Sequence, residues 1–190
     1  MTARPPQFVM LADIMLGTDR VFLIGPMGSG KSAVGKYLAR LLRLQFYDSD
    51  AEIERRTGVD IPYIFDREGE AGFRLRERET IEALTAVPRT VLATGGGAIL
   101  LAENRRVLSE RGCVVYLETS VTQQAERVKQ GRTRPLLANV ETATKLKQLM
   151  EERSPLYRGI ADIVVVTDGR RVRVVAEEIL RQLPPERAGG

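Results

Sequence analysis

The most specific chemistry in the sequence lies in Gly25-Pro26-Met27-Gly28-Ser29-Gly30-Lys31-Ser32. Glycines stand at both ends of a short turn, and a lysine and a hydroxyl follow the last one directly. Backbone N–H groups can converge on an anion where no side chain obstructs the approach. At this spacing Lys31 reaches the outer phosphates of a nucleoside triphosphate, and the Ser32 hydroxyl ligates Mg²⁺. The flanking residues suit that use. Val21-Phe22-Leu23-Ile24 reads as a short buried strand, and Val34, Leu38, Leu41 and Leu42 recur at helical spacing after the loop. A helix starting there adds its partial positive charge to the phosphate site. The motif implies a bound triphosphate, and by itself leaves kinase, hydrolase and switch open.

Four further groups of residues could complete a reaction site. Asp48 and Asp50 lie two apart after an apolar run, so in an extended segment both carboxylates would face one site. One would hold a metal through water and the other would take or orient a hydroxyl; helix capping is the plain alternative, although Ser49 already offers a cap. Gly95-Gly96-Gly97 follows another apolar run. Such a triplet allows close backbone approach to a substrate, or else serves as a hinge. Arg74 and Arg153 stand in helical stretches, where most arginines are solvated. Their guanidinium forks nevertheless suit a planar carboxylate. Finally, Arg127 to Leu137 forms a dense basic turn in which Pro135 fixes the chain just after Arg134. It reads either as a solvated connector or as a lid whose Arg134 stabilises charge on a transferring phosphoryl group.

These residues need a scaffold, and the pattern supplies one. Short apolar runs at 21–24, 44–47, 90–93, 113–117 and 163–166 alternate with helical segments. That order predicts an α/β fold with a parallel sheet of five strands covered by helices on both faces. Ligands gather at the carboxyl ends of strands in such sheets, which would bring the loop at 25–32, Asp48-Ser49-Asp50 and Gly95-Gly96-Gly97 to one edge. Ser49-Asp50-Ala51-Glu52 has the form of a capping box, opening a short helix that Gly58 ends. Residues 60–84 read as helix with a break near Gly69 and Gly72, and 172–183 as the last helix. Gly112 and Gly131 sit where helix C-caps are expected. The 190 residues fit a single domain, with 1–19 and 185–190 loosely ordered.

Composition narrows the chemistry. The chain has no histidine, so Ser-His-Asp and Cys-His systems and His-ligated zinc are excluded, and acid–base work falls to carboxylates, Lys or Arg. Its one cysteine, Cys113, sits in an apolar run and reads as a core residue. The net charge of +4 is spread without aromatic interleaving, which favours anionic metabolites over nucleic acid. With no long apolar run and no secretory signal pattern, a cytoplasmic protein without a membrane partner is expected.

Taken together, from about residue 21 to 170, the chain resembles the shikimate kinase family. The likeness rests on the loop at 25–32, Asp48-Ser49-Asp50, Phe73-Arg74, Gly95-Gly96-Gly97, Arg134-Pro135-Leu136-Leu137 and Arg153-Ser154-Pro155-Leu156-Tyr157. The resemblance implies a P-loop kinase fold with a mobile lid at about 123–140, and ATP-dependent phosphorylation of the 3-hydroxyl of shikimate by a monomer. It also implies Asp50, Lys31 and Arg134 as catalytic residues. ATP would contact Gly28, Ser29, Gly30, Lys31, Ser32, Ala33, Arg127, Arg134 and Arg170, and shikimate would contact Asp50, Arg74, Gly95, Gly96, Gly97 and Arg153. Mg²⁺ would be held by Ser32 and, through water, by Asp48. Residues alone leave open another small-metabolite kinase, acting on gluconate or a nucleoside monophosphate, and a nucleotide-dependent switch.

Overall fold

The computed structural model describes residues 19–130 and 140–184. Five strands, β1 (Arg20–Ile24), β2 (Gln45–Asp48), β3 (Thr90–Ala93), β4 (Cys113–Glu118) and β5 (Ile163–Val166), form one sheet in the order β2-β3-β1-β4-β5. All four pairings are parallel, with Val21 of central β1 level with Val91 of β3 and with Cys113 of β4. The expected strands are all present, each within a residue of its predicted bounds. The helices are α1 (Lys31–Leu42), α2 (Ser49–Thr57), α3 (Ile61–Thr85), α4 (Ala102–Arg111), α5 (Val121–Gln130), α6 (Val140–Ile160) and α7 (Val172–Gln182). A 3₁₀ turn, Ala98–Leu100, precedes α4.

Alternation along the strands explains the two cores. Val21 and Leu23 face Val34 and Leu38 of α1 and Val175 and Ile179 of α7. Phe22 and Ile24 face Ile81 and Leu84 of α3, Val107 and Leu108 of α4, and Tyr157 of α6. Side chains that alternate in direction therefore bury both faces of the central strand, which is why its sequence is apolar throughout. A third cluster joins Ile53 of α2 to Ile64 and Phe73 of α3 beyond the carboxyl edge of β2. No helix among the described residues is long and apolar enough to cross a membrane.

Local signals resolve more finely than expected in two places. The cap of α2 is Asp48, whose Oδ1 accepts from the N–H groups of Asp50 and Ala51, and not Ser49. Gly58 ends that helix at φ 72°, as predicted. The break in α3 falls on Gly69 alone, at φ 69° and ψ −175°; Gly72 is ordinary helix. Gly112 is the C-cap of α4, whereas Gly131, the lid turn and both chain ends lie outside the described residues.

Gly35 sets how closely α1 lies on the sheet, because a Cβ there would stand 2.5 Å from Phe46 Cε2 and 3.1 Å from Leu23 Cδ1. Gly35→Val is expected to destabilise the fold by about 1–3 kcal/mol, the usual range for overpacking. Urea unfolding measures it, and an unchanged midpoint would refute this account of the helix–sheet contact.

Candidate active site

The chain between β1 and α1 closes into a loop with Gly25, Gly28 and Gly30 at φ 144°, 79° and 91°. These are left-handed conformations that side chains rarely adopt. A Cβ on Gly25 would also stand 2.6 Å from the Leu117 carbonyl oxygen of β4. Lys31, the first residue of α1, is 9% exposed and turns back over this loop. Its Nζ donates to the carbonyls of Gly25 and Pro26, each at 2.7 Å, and to Ser29 Oγ at 3.3 Å. Burial brings its pKa down to about 8, against the opposing pull of the Asp50 and Asp48 carboxylates. Ser29 is buried, and Ala33 is exposed on the first turn of α1.

Of the arginines expected around nucleotide, Arg127 of α5 reaches the loop. Its Nη1 donates to the Gly28 carbonyl at 2.8 Å, and its Nη2 to that of Thr167 at 3.2 Å. Arg170 instead turns to the β5–α7 connection, donating to the Val166 carbonyl at 2.9 Å and to Glu178. Arg134 lies outside the described residues.

The two aspartates divide between two environments. Asp48 ends β2 and accepts from the Ser32 hydroxyl through Oδ2 at 2.6 Å, while capping α2 through Oδ1. Asp50 is already in the first helical turn, and its carboxylate lies against Gly95 in a pocket beside the loop. The extended geometry expected for the pair therefore does not hold: the helix begins between them and turns Asp50 away. Both still act on Lys31 through their charge. No group of three or more His, Cys, Asp or Glu that could cage a metal occurs among the described residues. The Ser32–Asp48 pair suits Mg²⁺, which takes one or two protein oxygens plus substrate phosphates and waters.

The pocket encloses about 420 Å³ and shares Pro26 and Met27 with the phosphate loop. Asp50, Arg74, Arg153 and Gly95 to Gly97 all line it, so the structure brings together every residue expected to bind the acceptor. Close approach explains the glycines. A Cβ on Gly95 would stand 2.7 Å from Asp50 Oδ1 and 2.8 Å from Glu77 Oε1, and one on Gly97 would stand 2.6 Å from Arg74 Nη1. The Gly95 N–H donates to the buried Ser49 hydroxyl at 2.9 Å, so Ser49 ties α2 to this loop. Gly96 accepts from the hydroxyl of Tyr157, which is stacked on Tyr116. Leu146, Leu149 and Met150 of α6 add an apolar wall.

Sequence reasoning missed Glu77. Its side chain is 1% exposed and receives Arg74 Nη1 on Oε2 at 2.7 Å. Burial raises its pKa, and the Arg74 charge opposes that rise. The i, i+3 spacing of Arg74 and Glu77 is a signal that could have found it. At the pocket, the buried atoms Glu77 Oε1 and Arg153 Nε make no hydrogen bond among the described residues.

A glycine-rich phosphate loop at the centre of a parallel sheet, opening onto a carboxylate and guanidinium pocket, defines a P-loop kinase of small metabolites. Comparison with known proteins narrows the class. The shikimate kinase family model matches residues 27–184, and the chain belongs to that family. The shikimate kinase of Nitrosococcus oceani is 53% identical over 169 residues, 89% of each chain. That of Halorhodospira halophila is 54% identical over 165 residues, 87% of this chain and 93% of the relative. Among solved structures, Acinetobacter baumannii shikimate kinase in complex with shikimate aligns with a TM-score of 0.82 and 48% identity, covering 86% of this chain and 92% of that one. A gluconokinase from Sinorhizobium meliloti, at 20% identity and a TM-score of 0.57, shares the fold alone.

Removing Arg74 would leave Glu77 buried without its principal partner. With Arg74→Ala the folded-state pKa of Glu77 rises further, so the unfolded state releases its proton first as pH increases. Destabilisation therefore grows from about pH 4.5 upward, reaching roughly 3 kcal/mol when the carboxylate stays ionised. Urea unfolding at pH 5 and pH 8 measures the difference. Adding Glu77→Gln should flatten it, and equal losses at both pH values would contradict the assignment.

Proposed function

We propose that this chain transfers the γ-phosphoryl group of ATP to the 3-hydroxyl of shikimate, giving ADP and shikimate 3-phosphate. One observation carries the reading beyond family membership. The acceptor pocket opens directly onto the phosphate loop, and its Asp50 lies close enough to Lys31 to act on its charge. Donor and acceptor sites therefore share one electrostatic field. A hydroxylated carboxylic acid also matches what the pocket offers: Glu77 Oε1 can accept from a hydroxyl, and Arg153 Nε can donate to a carboxylate.

In this reading the chemistry is mainly positioning and charge neutralisation, because phosphoryl transfer passes through a loose, highly charged state. The loop N–H groups, the α1 N-terminus and Lys31 bind the phosphates. Arg127 braces the loop from α5. Arg74 and Arg153 hold the carboxylate, and the backbone of Gly95 to Gly97 lies against the ring. Asp50 orients the reacting hydroxyl and accepts its proton late in the transfer. Ser32, and Asp48 through water, would hold Mg²⁺, which supplies charge neutralisation between the phosphates. Arg134 would add a cation over the transferring group, and Arg170 would contact the nucleotide after leaving Glu178. The lid at 123–140 would exclude water from the γ-phosphate. The working unit in this proposal is a monomer. One domain, in the cytoplasm, completes the proposal.

The test is ADP release from ATP·Mg²⁺ with shikimate, gluconate, AMP or no acceptor. Stimulation by shikimate alone is expected, with Asp50→Asn reducing turnover by roughly a hundredfold or more. Hydrolysis independent of acceptor would overturn the reading.

Lys31 adds a pH dependence. Phosphate favours its protonated form, so above its free-state pKa of about 8 binding must draw a proton from solution. ADP affinity is expected to fall as pH rises from 7 to 9, by at most about tenfold per pH unit. Calorimetry at three pH values checks this, with Lys31→Met binding more weakly and without the slope. A flat profile for the unaltered chain would remove Lys31 as the titrating contact.

A further inference from the structure

Arg74 is held by two carboxylates of very different character. Glu77 takes Nη1 from the buried side at 2.7 Å, with a side chain 1% exposed. Glu70 takes the other edge of the fork, receiving Nη2 at 3.0 Å and Nε at 3.3 Å on a single oxygen, and its side chain is 64% exposed. The Nε–Nη2 edge is one on which a planar carboxylate can sit bidentately. Here one residue of the chain itself covers it, at the wall of the acceptor pocket.

We propose that Glu70 is an internal stand-in for the acceptor's carboxylate, occupying the outer edge of the Arg74 fork until the substrate displaces it. The inference rests on the acid-binding reading of the pocket given above. Three observations carry it. The contact is the replaceable kind: one-oxygen, exposed and longer than the Glu77 pair beneath it. The backbone directly before Glu70 is already released from the helix, since Gly69 adopts φ 69° and ψ −175° with no atom within 4 Å of where its Cβ would stand. Arg74 cannot follow Glu70 outward, because Glu77 holds one Nη and Gly97 lies beneath the guanidinium.

Charge accounting agrees. Three cations, Arg74, Lys145 and Arg153, and three anions, Asp50, Glu70 and Glu77, line the pocket. With Glu70 in place and all six ionised they balance; with Glu70 displaced one positive charge is left over, the complement of a monoanionic acid. Glu70 thus neutralises Arg74 in the empty pocket while Glu77 keeps it aimed, and every acid that binds must compete with Glu70.

Competition and support predict opposite signs. If Glu70 competes, Glu70→Gln and Glu70→Ala should tighten shikimate about two- to fivefold, the range expected for release of an exposed ion pair. The tightening should appear in the calorimetric Kd without nucleotide and in the KM for shikimate, with the KM for ATP as internal reference. The methyl ester of shikimate, which brings no carboxylate to the fork, should bind unaltered chain and variants alike. A shikimate Kd that rises or stays constant would overturn the proposal by making Glu70 a support for Arg74. Equal tightening of acid and ester would overturn it as a general loosening of the pocket. Failure of the underlying reading looks different: the unaltered chain would release no ADP in response to shikimate.

Discussion

A carboxylate almost wholly removed from water, Glu77, constrains more of this site than any other single group. A buried charge is tolerated only when paired and hydrogen-bonded. That requirement draws Arg74 inward from one turn earlier in α3 and fixes the plane of its guanidinium. The glycine loop after β3 must then pass close to both groups and to Asp50, where a side chain at Gly95 or Gly97 would collide. Ser49 and Tyr157 bind that loop from α2 and α6, so three helices converge on one short stretch of backbone. The acceptor pocket is in this sense assembled around a problem of charge burial.

The phosphate side is organised by the sheet. Central β1 is flanked by β3 and β4, and the chain leaves its carboxyl end through Gly25, which passes against the Leu117 carbonyl. In the described structure Lys31 is satisfied by carbonyls of its own loop. In the proposed reaction, nucleotide would exchange one set of oxygen partners for another, and the buried ammonium would never be left unsolvated.

Much of this was legible from residue types and order. Strands with buried faces on both sides announce themselves as apolar runs, and the phosphate loop has a spacing that backbone chemistry dictates. The acceptor residues could be gathered because strands in a parallel sheet deliver their following loops to one edge. What escaped depended on the third dimension. Asp48 and Asp50 read as a same-facing pair only if the strand continues, but the α2 helix starts between them and separates their tasks. Ser49 reads as a cap, yet its hydroxyl is taken by Gly95, 46 positions away. Glu77 stands three residues after Arg74, but the stretch is so rich in Arg and Glu that this spacing alone does not separate the buried member from its solvated neighbours. Arg170 was expected at the nucleotide from the resemblance alone, and its guanidinium is engaged by Glu178.

The Tyr157–Gly96 hydrogen bond has a practical side. The chain contains no tryptophan and five tyrosines, so its near-ultraviolet absorbance, dichroism and emission come chiefly from phenol rings. Two of those rings, Tyr116 and Tyr157, are buried and stacked, and the hydroxyl of one is bonded to the backbone that lines the acceptor pocket. A phenol's spectrum depends on its hydrogen bond and on its neighbour's orientation. The protein thus carries its own optical reporter at the acceptor loop, readable without a label and without turnover.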